Sequence, residues 1–420
     1  MANNNENKIL NVPNLRFPEF SGEWSSQPLT DFMNFKNGLN PDAKRFGRGT
    51  KFISVMDILN NQYICYDNIR ASVELQDGDI ETYGVDYGDI LFQRSSETLE
   101  DVGRANVYLD SKPAIFGGFV IRGKSKGNYN PLFFRYLLAS PTARKRIIVK
   151  GAGAQHFNIG QDGLSKVSLD IPRLSEQEKI GKLLQCVDAR IATQNKIIEK
   201  LQSLIKGLSQ QLLSSKNDWI LYRLDNLAQI KSGYSSQTNM IPLSELLKQC
   251  SDRNRSGSDL QVLSVSNKYG FIAQSNQFED REVASDDTSN YKVVKKGMFA
   301  YNPARINVGS IALYEMDGNG IVSPMYVCFT TKSELLPSYL KYYFASQTFK
   351  HEMYKRLEGS VRLCLTFEEL CNIEIHLPSI EQQKNISKYI SKIENNLSLV
   401  DSIFSKYQQQ RRYLLSQMFI

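Results

Sequence analysis

The residues able to do covalent chemistry are few and poorly placed for it. A base methyltransferase needs a Gly-rich cofactor loop after a strand and an Asp/Asn-Pro-Pro-aromatic motif. Here Asn302-Pro303 continues as Ala304-Arg305, without the second proline or the aromatic. A metal-dependent nuclease usually carries an acidic pair and a Glu-x-Lys on neighbouring strands. The Glu-x-Lys of this chain, Glu6-Asn7-Lys8, lies in a polar N-terminal tail. No Gly-x4-Gly-Lys-Ser/Thr phosphate loop is present. His156, His351 and His376 lack metal-ligand spacing, and His376 sits in an apolar strand where a structural role is expected. The six cysteines are scattered, as reduced thiols would be. The expectation is a chain with no catalytic residue, no metal site and no cofactor of its own.

The polar groups that remain suit recognition of DNA. Residues 111–161 contain no Asp or Glu and nine basic residues, among them Lys124, Lys126, Arg144, Lys145 and Arg146. Unopposed positive charge predicts a face for phosphates. A Gly-rich loop follows, Gly151 to Asn158, in which small residues let backbone approach a groove. Its Gln155, His156 and Asn158 have the donors and acceptors to read base edges. Gln93, Arg94 and Ser96 follow a probable strand in the first half, and Tyr301, Asn302, Arg305 and Asn307 follow its match in the second. Lys350, His351, Lys355, Arg356 and Arg362 stand where the basic segment recurs, diluted by Glu352 and Glu358. Solvated basic helices and hydrogen-bonded turns would use the same residues, and spacing does not separate the two readings.

The elements that must position these groups occur twice. Trp24, Leu29, Phe32, Phe35, Lys36 and Gly38 match Trp219, Leu224, Leu227, Ile230, Lys231 and Gly233 at an offset of 195, and the two tryptophans are the only ones in the chain. Phe52-Ile53-Ser54-Val55 answers Val262-Leu263-Ser264-Val265, and the segment from Gly88 to Phe92 answers Gly297 to Tyr301. Pro131 to Tyr136 parallels Pro337 to Tyr342 at an offset of 206, and Ile171-Pro172 and Glu176-Gln177 fall on Leu377-Pro378 and Gln382-Gln383 at the same offset. Order and near-constant spacing over the whole length identify an internal repeat.

Each copy ends in a long helix with steps of four and three. The first seam reads Ile180, Leu184, Val187, Ile191, Gln194, Ile198, Leu201, Ile205, Leu208 and Leu212, with Gln194 its one polar member. The second reads Ile386, Ile390, Ile393, Leu397, Val400, Phe404, Tyr407, Arg411, Leu414 and Met418. The first helix ends just before the second copy opens, and that copy runs directly into the second helix. If domain ends lie close together, the helices pair antiparallel and separate two globular domains by on the order of 50 Å. That is about one and a half turns of B-DNA.

Charge follows the same plan. Residues 17–172 hold 18 basic and 18 acidic residues, and 219–378 hold 17 of each, whereas the helical stretches are mildly basic. The expected divisions are a polar tail (1–16), recognition domains (17–172 and 218–378) and spacer helices (173–217 and 379–420). No stretch resembles a signal peptide or membrane span, so a bacterial cytoplasmic location is expected.

Together, Trp219-x4-Leu224-x2-Leu227, the two Ser-Val strands, Tyr301 to Asn307, and Ile171-Pro-x-Leu-x-Glu-Gln-x-Lys-Ile180 resemble the specificity subunit of type I restriction-modification systems. The resemblance runs from Trp24 to the C-terminus. It implies an α+β chain with two mixed α/β target recognition domains, each reading half of a split double-stranded DNA site. Two antiparallel coiled-coil helices would set the gap and dock two modification subunits, which methylate adenine with S-adenosylmethionine. Restriction subunits using ATP and Mg2+ would complete the complex. One departure is that the second Glu-Gln element reads Glu381-Gln382-Gln383, shifted by a residue. The rival reading is a bivalent protein–protein scaffold without enzymatic activity.

Overall fold

The computed structural model describes residues 10–153, 156–212, 240–255, 260–274, 287–359 and 363–420. Two compact units emerge, Met1–Lys196 with Asp401–Ile420, and Ile197–Val400. Both long helices, Leu174–Leu212 and Ile380–Gln417, contribute residues to each unit.

The first unit lays down β1 (Ser25–Pro28), β2 (Met33–Asn37), β3 (Phe46–Ile53), β4 (Ala71–Val73), β5 (Gly84–Val85), β6 (Ile90–Gln93), β7 (Ser95–Ser96), β8 (Ala105–Val107), β9 (Ala114–Phe116), β10 (Val120–Ser125), β11 (Phe157–Asn158) and β12 (Ser168–Ile171). One four-stranded sheet has the order β2-β10-β6-β8 and a second the order β4-β3-β9-β5, in which β3 and β9 run parallel. In the second unit, β13 (Met240–Pro242), β14 (Leu247–Cys250), β15 (Gln261–Ser266), β16 (Gly270–Ala273), β17 (Lys292–Val294), β18 (Phe299–Tyr301), β19 (Ile311–Leu313), β20 (Gly320–Val322), β21 (Val327–Thr331) and β22 (Glu374–His376) repeat the scheme. The orders are β14-β21-β18-β19 and β16-β15-β20-β17, again with one parallel pair, β15 and β20. The fold is α+β and the repeat is structural as well as sequential.

Local chemistry explains the matched elements. Gly88 and Gly297 both adopt φ near +90° in the turn before the central strands β6 and β18, a conformation that favours glycine. Their amides donate to Tyr108 O (2.8 Å) and Tyr314 O (2.9 Å). Asn130 caps the Pro131–Ala139 helix by accepting from Phe133 N, and Ser140 and Ser346 cap the helices that follow in each unit. The helices then bury an aromatic-rich face, with Phe133, Phe134 and Tyr136 in one core and Tyr339, Tyr342 and Tyr343 in the other.

The start of each long helix is tied to its own unit by the same buried glutamine. Gln177 Nε2 donates to Pro172 O (2.9 Å) and its Oε1 accepts from Asn130 N (3.0 Å). Gln383 Nε2 donates to Pro378 O (2.9 Å) and its Oε1 accepts from Leu336 N (2.8 Å). The glutamine is therefore not shifted in the second copy. What differs is its neighbour: Glu176 pairs with Arg16 (2.8 Å) and accepts from Trp24 Nε1 (3.3 Å), while Gln382 Oε1 caps Ser379 N (3.0 Å). A second tie lies about three turns on. Tyr136 Oη donates to Asp188 and Tyr342 Oη to Glu394, both at 2.9 Å and both 206 positions apart.

The opening of the second copy departs from the 195 spacing. Leu29 N donates to Val167 O, and the matching bond in the second unit runs from Leu243 N to Ile373 O, both 2.9 Å. Leu243 thus takes the place of Leu29, and β13–β22 pair as β1–β12 do. Trp219 to Gly233, including Leu224, lie outside the described residues, as does any contact of Leu212's side chain.

Along the helices, burial follows the four-three steps. In the first unit Ile180, Leu184, Val187, Leu414 and Met418 are buried, and Ile191, Gln194, Phe404, Tyr407 and Arg411 half-buried. Asp188 meets Arg411 (2.6 Å) while Arg190 lies over the Tyr407 ring, so the two helices run antiparallel there. In the second unit Ile198, Ile386 and Ile390 are buried, and Leu201, Ile205, Leu208, Ile393, Leu397 and Val400 half-buried. Leu208, late in one helix, packs with the cluster holding Ile386 and Ile390, early in the other.

Gln177→Leu and Gln383→Leu each strand a buried carbonyl and amide, so each should lower stability by about 1–3 kcal/mol. Hydrogen exchange should show lost protection around 130–137 for the first and 336–343 for the second. Protection lost equally in both units by either variant would contradict the two separate ties.

Candidate nucleic-acid interface

The two polar segments singled out in the first half meet in space. β7 pairs antiparallel with β11, setting Phe157 against Ser96 and Asn158 against Ser95. Ile159 N donates to Arg94 O (2.9 Å), and Ser95 Oγ donates to Asn158 Oδ1. The Gly-rich loop closes through an Ala152–Asn158 bridge, and Gln155 lies outside the described residues. The exposed groups of this edge are His156 and Asn158, with Arg94 and Ser96 half-exposed. Arg94 donates to Gly118 O (3.3 Å). Ser95, flanked by two candidates, joins the edge on the strength of its partner rather than its type.

The second unit builds the same edge from different residues. Leu365 N donates to Pro303 O (3.1 Å), and a Glu358–Cys364 bridge closes the loop, whose Arg362 lies outside the described residues. Asn302 Oδ1 accepts from Ala304 N (3.0 Å), an Asx turn that presents Arg305 to solvent. Arg305 and Asn302 line a 480 Å³ cleft, and half-buried Asn307 lines a neighbouring one.

Several candidates serve the fold instead. Tyr301 is fully buried and donates to Leu365 O (3.1 Å), so it holds the loop from beneath. Burial also pushes its phenol well above the ordinary tyrosine range. Gln93 is buried, and its Nε2 donates to Ser95 O (2.8 Å). Lys355 and Arg356 are both paired with Glu352 (2.7 Å), which they hold below the usual carboxylate range. His351 is exposed and Lys126 donates to Thr30 O (2.6 Å).

The acid-free run does not become one positive face. Acids remote in sequence come to it: Asp188 to Arg135 (3.1 Å), Asp170 to Arg146 (2.6 Å) and Asp86 to Lys124 (3.6 Å). Arg122 is buried, donates to Gly84 O, and is pushed down by desolvation. Arg144 donates to Glu100 O (2.8 Å) and Val102 O (2.6 Å), whereas Lys145 and Lys350 are exposed. Arg104, Asp188 and Arg411 were not expected at this surface. For Asp188 a signal existed, since an acid recurs 206 positions on as Glu394.

Charge reversal therefore separates neighbours. Arg146→Glu sets a second carboxylate against buried Asp170 and should cost about 1–3 kcal/mol of stability. Lys145→Glu should leave the thermal midpoint within a degree or two of the parent, and equal losses for both would contradict this division.

Among the described residues, no helix is long and apolar enough to cross a membrane, and no His/Cys/Asp/Glu group is arranged to hold a metal. The model of the type I restriction modification DNA specificity domain matches residues 21–203 and 252–403, the second match opening beyond Trp219 to Gly233. The MjaVIII type I restriction enzyme specificity subunit of Methanocaldococcus jannaschii is 23% identical over 422 positions, covering 94% of this chain and 91% of that protein. The crystal structure of the type I restriction-modification S subunit from M. genitalium matches with a TM-score of 0.59 at 16% identity, over 97% of this chain and 99% of that one. A structure solved for complex assembly and conformational transition of the type I system matches at 0.54 and 12% identity, over 93% and 96%. At these identities the structures speak for the fold alone. The family model spans both halves of the repeat, and the chain belongs to the DNA specificity subunits of type I restriction-modification systems.

Proposed function

We propose that each unit reads one half of a split DNA site through the edge where the segment after its central strand meets the returning loop. In the first unit the readers are Arg94, Ser96, His156 and Asn158, with Ser95 orienting Asn158. In the second they are Asn302 and Arg305. The observation that carries this reading is a pair of edges with the same backbone bonds, Ile159 to Arg94 and Leu365 to Pro303, but different polar side chains. A matched scaffold with unlike readers suits two unlike half-sites, since amide and guanidinium groups discriminate bases by bidentate contact. Exposed lysines such as Lys150 would add phosphate contacts that position the protein without choosing sequence.

The long helices, with their periodic seam, would hold the readers at a set separation and offer surface for two modification subunits. Those subunits would supply S-adenosylmethionine and the methyl transfer to adenine, and restriction subunits would bring ATP and Mg2+. This chain itself would perform no covalent step.

Asn158→Ala and Arg305→Ala, each expressed with the modification subunit, should each relax a different half of the methylated site. A lost base contact of about 1–3 kcal/mol corresponds to roughly 5- to 150-fold weaker discrimination at that position. Methylome sequencing reads this directly, and a bivalent protein scaffold would show no half-site to relax. Removing matched heptads from both helices should change the unread gap and leave both half-sites intact. Altered half-sites with an unchanged gap would refute the spacer role.

A further inference from the structure

The DNA-reading edges differ between the copies, but one surface feature does not. The first unit has a cleft of about 630 Å³ and the second one of about 730 Å³. They are the same cleft. Arg135, Arg144, Leu138, Ala139, Ala105 and Asn106 line the first, and Lys341, Lys350, Phe344, Ala345, Ile311 and Ala312, each 206 positions on, line the second. Each is floored by apolar side chains and rimmed by cations. Leu59 is exposed at the rim of one and Tyr269 and Met316 at the rim of the other.

The positive charge is not fully used within the chain. Arg144 Nη1 is buried with no hydrogen-bond partner among the described residues, and Arg104 lies close enough to oppose its charge. Burial first, and Arg104 second, push the Arg144 guanidinium down to about 10. Lys145 and Lys350 stand exposed at the rims. The first cleft also holds Glu100, and the second holds Glu315, paired with Lys341 (2.7 Å), and Glu394, so the positive excess of the second is smaller.

We propose that these two clefts are equivalent docking sites for two copies of one partner protein, each receiving a segment with an apolar side chain flanked by carboxylates. Resting on the reading that two modification subunits bind this chain, the inference assigns where and by what chemistry they do. An identical partner bound twice requires the same chemistry twice, whereas two different half-sites require it to differ. The cleft keeps a basic residue at 144/350 and an apolar floor at 138/344, and at 135/341 a basic residue already ion-paired in both copies, while the reading edges keep only their backbone. Volume and lining agree, because a single phosphate would fill little of 630 Å³ and gain nothing from an apolar floor.

The test uses the full chain with its modification subunit and native mass spectrometry. The parent should bind two copies; if it does not, the two-subunit reading itself fails. Lys145→Glu should lower the stoichiometry from two to one, Lys350→Glu likewise, and the double variant should bind none, with Lys→Gln forms intermediate. Both lysines are exposed, so unchanged hydrogen exchange outside the clefts separates lost docking from misfolding. Parent and variants all binding two copies would overturn the cleft assignment while leaving the two-subunit reading intact. Full stoichiometry with weakened DNA retention would overturn it in favour of a phosphate site.

Discussion

Everything in this chain hangs on how a domain is fastened to the base of a helix. A buried glutamine satisfies the carbonyl before the helix and the amide opening a neighbouring one, at Gln177 and again at Gln383. A buried tyrosine then donates to a helix carboxylate, Asp188 or Glu394. A glutamine side chain so committed cannot slide without leaving polar groups unpaired in the interior, which is costly. The domain's orientation on its helix is thus set by satisfaction of hydrogen bonds as well as by apolar burial.

The duplication becomes informative through what each copy retains. The glutamine tie, the tyrosine–carboxylate tie and the cationic cleft recur at an offset of 206, and the backbone bonds recur at offsets between 206 and 214. The polar side chains of the reading edges do not. This is the pattern expected of a chain that meets one kind of partner twice and two different DNA sequences once each. Within the frame there is local asymmetry: Asp188 also pairs with Arg411, whereas Ile205 stands 206 positions before it, where no ion pair can form. A charged residue on an otherwise apolar seam favours one register over others.

Charge along the sequence was a poor guide to charge on the surface. Nine basic residues without an intervening acid suggested one face, yet Asp86, Asp170 and Asp188 approach from outside the segment and neutralise three of them. Ion pairs form between residues brought together by folding, so a local count omits half of each pair. The same applied to Tyr301 and Gln93, whose polar atoms bond the backbone of the very loops they were expected to extend.

By itself the sequence determined the repeat, the α+β class, the two long helices with their apolar seams and the family resemblance, because periodicity and internal spacing are properties of the chain. It also located both loops of each reading edge, at 93–96 with 151–158 and at 301–309 with the later loop. Only the tertiary structure decided that those loops pair and that Leu243 makes in the second unit the bond that Leu29 makes in the first. It alone decided which cations remain available. Those outcomes depend on partners distant in sequence, through hydrogen bonds and ion pairs whose two halves have no fixed spacing along the chain.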